Sequence, residues 1–317
     1  MPASNDTTTD NFVRWEIDDE GIGQRLDRFL VTKLDGVSRS GIQQLITDEL
    51  ILVNEKVSKP GYALRAKDIV TALRMTPAPQ QKQVTPQNIP LDIIFEDADL
   101  LIINKPAGMV VHPAPGNYDG TLVNALVAQY PELQQDENDT RPGIVHRLDK
   151  DTSGLLMVAK NAQARASLVE QMKQQTIVKR YQALVEGNIS LDQGSIDAPI
   201  GRDSRNRQMM AITVTEGREA RTHFRVLQRF RRHTLVLVQL ETGRTHQIRV
   251  HFKAIGHPVV CDQTYGSGHK LPDLHLQRQF LHAYQLDLAH PRTGEALHFE
   301  APLPPDLQEV LDNEAVL

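Results

Sequence analysis

Short runs of residues that favour β-strands follow one another after residue 91, and they constrain the fold more than any other feature. β-Branched, aromatic and other large apolar residues dominate the runs at 93–95, 100–103, 155–158, 181–185, 223–226, 234–240 and 247–252. Apolar positions at helical spacing indicate helices at 121–127 and 161–173. Because strands outnumber helices and do not alternate with them, we predict an α+β domain with a large mixed, mainly antiparallel sheet.

A smaller unit is indicated before residue 75. Apolar residues recur at helical spacing in 25–30, and Ser38 is a good amino-terminal cap for a second helix. Residues 52–57 are typical of a hairpin with its turn at Asn54-Glu55. Glutamate tolerates the positive φ of a tight turn poorly, so the sequence leaves the geometry of this turn open.

The chain between these two regions has the composition of a linker. Residues 75–90 are centred on a proline- and glutamine-rich stretch without periodicity, which predicts a flexible tether. Residues 1–11 are polar and predict a disordered tail. The expected order is therefore a tail, a small α/β domain at 12–74, a linker at 75–90 and a large domain at 91–317.

Composition favours a cytoplasmic protein without a membrane anchor. The chain has 317 residues, which suits two domains, and no apolar run approaches the roughly 20 residues that span a bilayer. The amino terminus lacks the basic start and apolar core of a signal peptide. A single cysteine, Cys261, excludes an internal disulfide framework and a multi-cysteine zinc site.

Charge is distributed unevenly. The net charge of −5 argues against nucleic-acid binding by the chain as a whole. Residues 201–250, however, are rich in arginine, whose planar fork suits phosphate contacts. The arginines of this region are Arg202, Arg205, Arg207, Arg218, Arg221, Arg225, Arg229, Arg231, Arg232, Arg244 and Arg249. The simpler alternative is a solvated charged face.

One carboxylate stands out among the polar residues. Asp149 follows His146 and Arg147, and it precedes a turn-forming Asp-Thr-Ser-Gly run and an apolar strand. Catalytic groups are often held on loops beside rigid strands. In the plainer alternative Asp149 only stabilises a polar turn by bonding to local backbone.

Four motifs together resemble those of the RluA/RluD-type pseudouridine synthase family. They are HRLDKDTSGL at 146–155, NKPAGMVVHP at 104–113, KRYQALVEG at 179–187 and GRTHQIRVH at 243–251. They occur in the family's order within a resemblance that runs from about 91 to 302. The small domain resembles an S4-like RNA-binding domain. The resemblance implies the α+β catalytic fold of this family and an isomerase that needs no metal and no organic cofactor.

The resemblance also implies three catalytic residues. Asp149 matches the family's catalytic aspartate, Arg249 the arginine that pairs with it, and Tyr181 the active-site tyrosine. Asp151 is the competing local carboxylate, but it lies where the family motif varies. From the residues alone, Arg249 could instead contact phosphate from a basic strand, and Tyr181 could be a core aromatic.

RNA contacts are expected on both domains. Arg147 resembles the residue that enters the RNA helix where the target base leaves. His146 could orient the loop or the RNA; in the plainer alternative it is a structural histidine without a role in RNA binding. The full set of expected RNA contacts is His146, Arg147, Arg244, Arg25, Arg28, Arg39 and Lys56.

The resemblance also implies a substrate. The S4-like domain and the Lys-Asp-Thr-Ser-Gly version of the motif at 150–154 favour large-subunit (23S) ribosomal RNA. The implied targets are uridines in the helix 69 stem-loop, with large-subunit RNA or a pre-ribosomal particle as partner. The family is usually monomeric. Sequence leaves open the exact uridines, a covalent or a glycal route, the timing relative to ribosome assembly and the role of the acidic tail from Asp306.

Three rival functions remain. The same chemistry could act on transfer RNA, or the protein could bind RNA during ribosome assembly without catalysis. The third rival is a metal hydrolase, which the 12 histidines of the chain suggest. His246 and His251 are five apart without a His-Glu-x-x-His motif, so no metal site is expected.

Overall fold

The protein is represented by a computed structural model that describes residues 12–19, 21–34, 37, 39–73, 84–114, 117–134, 139, 141–204, 206, 209–215, 217–267 and 275–314. The chain forms two compact units, residues 1–83 and 84–317. The predicted tail at 1–11, the cap at Ser38 and the first part of the predicted linker, 75–83, lie outside the described residues.

The smaller unit is an α/β fold with a four-stranded antiparallel sheet. Its elements are β1 (Phe12–Glu16), α1 (Leu26–Val31), α2 (Arg39–Thr47), β2 (Ile51–Val53), β3 (Lys56–Val57) and β4 (Ile69–Leu73). The strand order is β1-β4-β2-β3. Leu26 and Leu30 of α1 pack with Ile42 and Ile46 of α2 and with Val70 of β4 in one buried core. The predicted helices and hairpin are therefore present, whereas β1 and β4 were not predicted.

The hairpin turn uses positive φ without glycine. Asn54 has φ 51° and Glu55 has φ 61°, a region that residues with a side chain rarely adopt. Asn54 offsets this strain because its Oδ1 accepts the Ile69 N–H at 2.8 Å and its Nδ2 donates to Asp68 at 2.8 Å. Asparagine at the first position therefore stabilises a turn that Glu55 alone would disfavour.

The larger unit is built on a nine-stranded mixed sheet. The elements are β5 (Ile93–Glu96), β6 (Leu100–Lys105), α3 (Leu122–Gln129), a 3₁₀ turn (Pro131–Leu133), β7 (Ser153–Ala159), α4 (Ala162–Lys173), β8 (Val178–Glu186), β9 (Gln193–Asp197), β10 (Ile200–Arg202), β11 (Met210–Ile212), β12 (Arg221–Arg229), β13 (His233–Leu240), α5 (Gln247–Ala254), β14 (Leu281–Ala289), β15 (Ala296–Glu300) and α6 (Pro305–Asp312). The order in the large sheet is β5-β6-β7-β14-β8-β13-β12-β9, with β15 paired to β14, while β10 and β11 form a separate pair. The α+β class with a mainly antiparallel sheet is confirmed.

The sheet is buried on both faces at its centre. Every residue of β7 is buried, and alternate residues enter different cores. Leu156 and Val158 pack in the core that contains α3, whereas Leu155 and Met157 pack in the core that contains α4. The loop that precedes β7 is thereby attached to one of the most rigid strands of the molecule.

One strand pair of the large sheet is parallel. β7 pairs with β14 in parallel at Ser153–His282 and Gly154–Ala283, while the other pairs are antiparallel. Gly154 has φ +113°, and a Cβ there would lie 2.2 Å from the carbonyl oxygen of Ala283. Only glycine therefore permits this close approach of two strands from distant parts of the chain.

Two predictions about local structure were wrong. Residues 247–252 form helix α5, in which all six are buried, rather than a strand. Their polar and apolar residues alternate along the sequence, and this alternation is typical of a strand. The second half of the predicted linker is not a free tether, because Val84 is buried and Gln87 N–H donates to Asn124 O at 3.0 Å. Asn124 in turn donates to Thr85 O at 2.8 Å, which fastens the segment to α3.

In the described parts of the chain, no helix has the length and apolar character needed to cross a membrane.

Candidate active site

An open cleft of about 850 Å³ brings together predicted residues from three separate segments of the larger unit. Asp149 and Arg147 come from the loop before β7, Tyr181 from β8, and Arg244 and Arg249 from the β13–α5 region. The sheet positions Tyr181, because its backbone lies beside Val238 of β13 and Ala283 of β14. The fold therefore gathers the three residues to which the resemblance assigns catalysis.

Asp149 and Arg249 form an ion pair in this cleft. Arg249 NH1 donates to Asp149 Oδ2 at 3.0 Å. The Arg249 side chain is 7% exposed and that of Asp149 is 17% exposed, so the pair is shielded from water while Asp149 remains reachable. Arg249 therefore binds and orients the Asp149 carboxylate through a charge-assisted hydrogen bond.

A second carboxylate holds Arg249 from its other side. Asp262 is fully buried and accepts from Arg249 Nε at 2.6 Å and NH2 at 2.9 Å, a bidentate contact. The N–H groups of Thr264 and Tyr265 also donate to Asp262 at 2.9 Å. Although burial opposes it, hydrogen bonds from Arg249 lower the pKa of Asp262, and Asp262 with Asp149 raises the pKa of Arg249. The guanidinium is thus fixed in charge and orientation before any substrate binds.

His246 and Tyr265 complete the surroundings of the ion pair. His246 adopts the left-handed conformation, φ 56°, at the start of α5, and its Nδ1 is 2.8 Å from the Tyr265 hydroxyl. Its Nε2 lies 3.9 Å from Asp149 Oδ1. The Arg249 guanidinium lies 4.9 Å from the centre of the Tyr265 ring, within cation–π range. These contacts restrict how far Arg249 and His246 can move.

A buried lysine fastens the loop that carries Asp149. Lys105, at the end of β6, is fully buried and donates to the carbonyls of Pro106 at 2.7 Å, Met109 at 2.9 Å and Lys150 at 3.0 Å. Burial lowers the pKa of Lys105 to about 7, against the opposing effect of nearby Asp151 and Asp149. The motif at 104–113 therefore holds the Asp149 loop from β6, the strand next to β7.

Tyr181 presents a protonated phenol to the cleft. Its side chain is 6% exposed and lines the cleft with Asp149. Burial, and then the negative charge of Asp149, raise the pKa of Tyr181 above its ordinary value of 10.0. The phenolate is therefore disfavoured near neutral pH, and the ring supplies an apolar face suited to stacking on a base.

His146 has a backbone partner. Its Nε2 accepts the Met157 N–H at 2.9 Å, and burial with the nearby charge of Lys179 lowers its pKa to about 3. The neutral imidazole thus joins the loop to β7, which matches the structural alternative for this residue. Asp151, the competing carboxylate, is not among the residues that line the cleft.

Cations outnumber anions on the walls of the cleft. The charged residues that line it, apart from its histidines, are Arg141, Arg147, Arg165, Lys173, Lys179, Arg218, Arg244 and Arg249, opposed by Asp149 and Glu241. Glu241 is itself paired with Arg221 at 2.6 Å. The acidic net charge of the chain therefore does not describe this surface, which is suited to a polyanion.

The smaller unit holds a second group of predicted RNA contacts. Asp27 is fully buried and accepts hydrogen bonds from Arg25 at 3.0 Å, Arg39 at 2.9 Å and Gln43 at 2.8 Å. The arginine side chains remain 46% and 49% exposed, so about half of each is accessible to solvent. Arg28 and Lys56 are also exposed, but among the described residues no hydrogen bond joins either of them to Asp27.

Sequence reasoning missed Lys105, His246, Asp262 and Tyr265. No local pattern singles out Asp262, which directly follows the short apolar run at 259–261. Among the described residues one cluster, Asp97, Asp99 and His290, has spacing that could hold a metal. Arg292 binds both oxygens of this Asp99 at 2.6 Å, which accounts for the buried charge without an ion.

Comparison with known proteins agrees with this arrangement. Residues 99–254 match the family model described as RNA pseudouridylate synthase, and residues 24–70 match the S4 domain. An uncharacterized RNA pseudouridine synthase, YlyB, of Bacillus subtilis is 50% identical over 93% of this chain and 95% of its own length. Ribosomal large subunit pseudouridine synthase D of Zymomonas mobilis is 45% identical over 97% of this chain and 96% of its own length.

A solved structure has the same catalytic fold. Human RNA Pseudouridylate Synthase Domain Containing 1 aligns with a TM-score of 0.56 and 32% identity, over 70% of this chain and 87% of that protein. The identity and coverage of these relatives are high enough to fix the family and its type of reaction. The chain belongs to the RNA pseudouridine synthase family, as an isomerase with an S4 domain before its catalytic domain.

Proposed function

We propose that this protein converts specific uridines of large-subunit (23S) ribosomal RNA to pseudouridine, in the helix 69 stem-loop, with Asp149 as the catalytic carboxylate. The observation that carries the proposal is the Asp149–Arg249 ion pair within a cleft lined mainly by cations. The names of the similar D-type proteins support the ribosomal substrate. The S4 domain supports an RNA partner, and we propose that the protein acts as a cytoplasmic monomer.

The reaction breaks the bond between uracil N1 and ribose C1′ and forms a bond between C5 and C1′. Uracil leaves with the bonding electron pair, turns in the site, and attacks again through C5; the C5 proton is then lost and N1 gains one. Asp149 begins either route, by attacking C1′ to give an ester adduct or by removing a C2′ proton to give a glycal. Arg249 orients the Asp149 carboxylate, which is the reacting group in both routes.

Tyr181 and Arg147 have separate tasks in this proposal. The Tyr181 ring stacks on the uracil, and its protonated hydroxyl relays the C5 proton by releasing its own proton to a second acceptor. Arg147 is exposed at the cleft, where a guanidinium can occupy the space that the extruded base leaves in the RNA.

The test is a pseudouridine map of ribosomal and transfer RNA from cells that lack the protein, complemented with wild type, Asp149→Asn or Asp151→Asn. We expect large-subunit sites in helix 69 to disappear and to return with wild type and with the neighbouring control Asp151→Asn, but not with Asp149→Asn. With purified protein, Asp149→Asn should lower kcat at least about a thousandfold.

Other outcomes identify the rival functions. Loss of transfer RNA sites alone would replace the ribosomal substrate with a transfer RNA. No lost site, together with impaired large-subunit assembly that Asp149→Asn restores, would favour a binding role without catalysis. Full restoration of the sites by Asp149→Asn would show that another residue is the catalytic carboxylate.

A further inference from the structure

In the loop that carries Asp149, the backbone carbonyls of three successive residues, 149 to 151, each accept a hydrogen bond. Thr152 N–H donates to Asp149 O at 3.1 Å, and Gly108 N–H joins Lys105 in donating to Lys150 O, at 2.9 Å. The next carbonyl, that of Asp151, accepts from Arg278 NH1 at 3.2 Å. Two buried cations from distant parts of the chain therefore hold consecutive carbonyls of this loop.

Arg278 is itself held by the carboxyl-terminal helix. Its Nε donates to Asp306 Oδ2 at 2.7 Å and its NH2 to Asp306 Oδ1 at 2.9 Å, so the fork is bidentate. The Arg278 side chain is 9% exposed. This fork leaves NH1 as the group that reaches the loop, and the aspartate fixes its direction.

Helix α6 provides a firm base for Asp306. Leu307 and Val310, on the buried side of α6, pack in a core with Leu184 of β8 and Phe280. Asp306 lies in the first turn of the helix, where a negative charge is favourable. A series of hydrogen bonds therefore runs from the carboxyl-terminal helix through Asp306, whose side chain is 47% exposed, and Arg278 to the carbonyl two residues after Asp149.

We propose that Arg278 is a positioning residue for Asp149, and that the carboxyl-terminal helix contributes to catalysis by orienting Arg278 through Asp306. The inference rests on the proposed function of Asp149. Arg278 acts through the Asp151 carbonyl and does not touch the substrate. Because displacement of a catalytic group by about 1 Å can cost roughly a hundredfold in rate, loss of one backbone anchor lowers turnover more than binding.

Arg292 and Asp99 supply a matched control. They form a second bidentate pair in the same unit, at 2.6 Å on both oxygens, but neither residue contacts the 149–152 loop through a hydrogen bond in the described chain. Breaking this pair with Asp99→Asn removes a comparable ion pair without removing an anchor of Asp149.

The experiment measures tritium release from large-subunit RNA transcribed with 5-³H-uridine, using full-length protein at saturating and limiting RNA. Variants are Asp306→Asn, Arg278→Lys, the double variant and Asp99→Asn, each assayed at least about 10 °C below its own unfolding midpoint. We expect kcat to fall about ten- to a hundredfold in the first two, with KM within twofold. The double variant should be no slower than the slower single variant, and Asp99→Asn should keep the wild-type kcat.

Two results would overturn the inference: wild-type kcat in either folded Asp306→Asn or Arg278→Lys, or an equal loss in Asp99→Asn. If one of the two variants fails to fold, the other decides. A wild-type protein that releases no tritium from this RNA contradicts the proposed substrate instead, so the two failures are distinguishable.

Discussion

At the scale of single residues, the site depends on a chain of three charges rather than on one pair. Asp262 binds Arg249 with two hydrogen bonds, and Arg249 binds Asp149 with one. Asp149 is thus the outermost member of this array, and its position depends on an inner carboxylate whose side chain is fully buried.

Replacing that inner carboxylate should damage both stability and turnover. Asp262→Asn leaves the buried Arg249 with Asp149 as its remaining ionic partner, so we expect a loss of about 3 kcal/mol in unfolding free energy. We also expect a roughly hundredfold lower kcat, from tritium release. Asp197→Asn is the control, because Asp197 is 56% exposed where it pairs with Arg221. Equal effects of the two changes would contradict the role of Asp262.

The protonation state of Tyr181 makes a separate prediction. Because burial and Asp149 raise its pKa above 10.0, the phenol stays protonated from pH 6 to 9.5. A mechanism that needed the phenolate would make kcat rise about tenfold per pH unit across this range; a relay through the phenol would not. We expect a profile without that rise, and Tyr181→Phe should lower kcat while leaving KM near wild type. A tenfold rise per unit that disappears in Tyr181→Phe would rule out the relay.

At the scale of elements, an ion pair joins two hairpin turns, and no sequence pattern reveals it. Asp99 lies in the turn between β5 and β6, and Arg292 in the turn between β14 and β15. Hydrogen bonds from Arg292, and then Asn161, lower the pKa of Asp99 to about 2 from 3.8. These turns belong to opposite ends of the larger unit's sequence, so their contact holds together two hairpins that are distant in the chain.

This contact should be lost in acid. The pKa of Asp99 is lower in the folded state than in the unfolded state. Its ion pair therefore stabilises the fold fully above about pH 5, and this stabilisation disappears as pH falls through 3.8 towards 2. We expect Asp99→Asn to cost about 2 kcal/mol at pH 7 and little near pH 2, as measured by urea unfolding followed by circular dichroism. A deficit that does not change with pH would mean that the charge of Asp99 is not the cause.

The sequence predicted elements better than it predicted contacts. β6 and β7 were evident as short, nearly continuous apolar runs, and α4 because Ala164, Leu168 and Met172 recur at helical spacing. Helix α5 was mistaken for a strand because polar and apolar residues alternate over 247–252, and β15 is short and half-exposed. Asp149, Tyr181 and Arg249 were found from motifs, but Asp262 and Lys105 act through tertiary contacts that no local pattern records.

At the scale of the whole molecule, two cationic surfaces are joined in one chain whose net charge is −5. One is the cleft of the larger unit, and the other is the pair Arg25 and Arg39 held by Asp27. Two linked sites on one RNA raise the effective concentration of substrate at the second site once the first is bound. The smaller unit should therefore affect capture of RNA rather than the chemical step.

Neutralising the smaller unit tests this division. Arg25→Gln with Arg39→Gln should raise KM at least about tenfold, leave kcat unchanged, and reduce the salt dependence of RNA binding by about one to two charges. Tritium release gives the kinetic constants, and fluorescence anisotropy at several salt concentrations gives the slope. Arg225→Gln, an exposed arginine outside the cleft lining, is the control. A fall in kcat at unchanged KM would contradict the division.

The parallel pairing of β7 with β14 also bears on events during translation. Ser153 and His282, which are partners in that pairing, are 129 residues apart in the chain. Contacts at such separation close late, because a long loop must lose its freedom first, and the ribosome synthesises β14 well after β7. A nascent chain thus displays its S4 domain well before the loop that carries Asp149 is secured. Unfinished copies therefore carry the means to hold RNA before they carry the means to alter it.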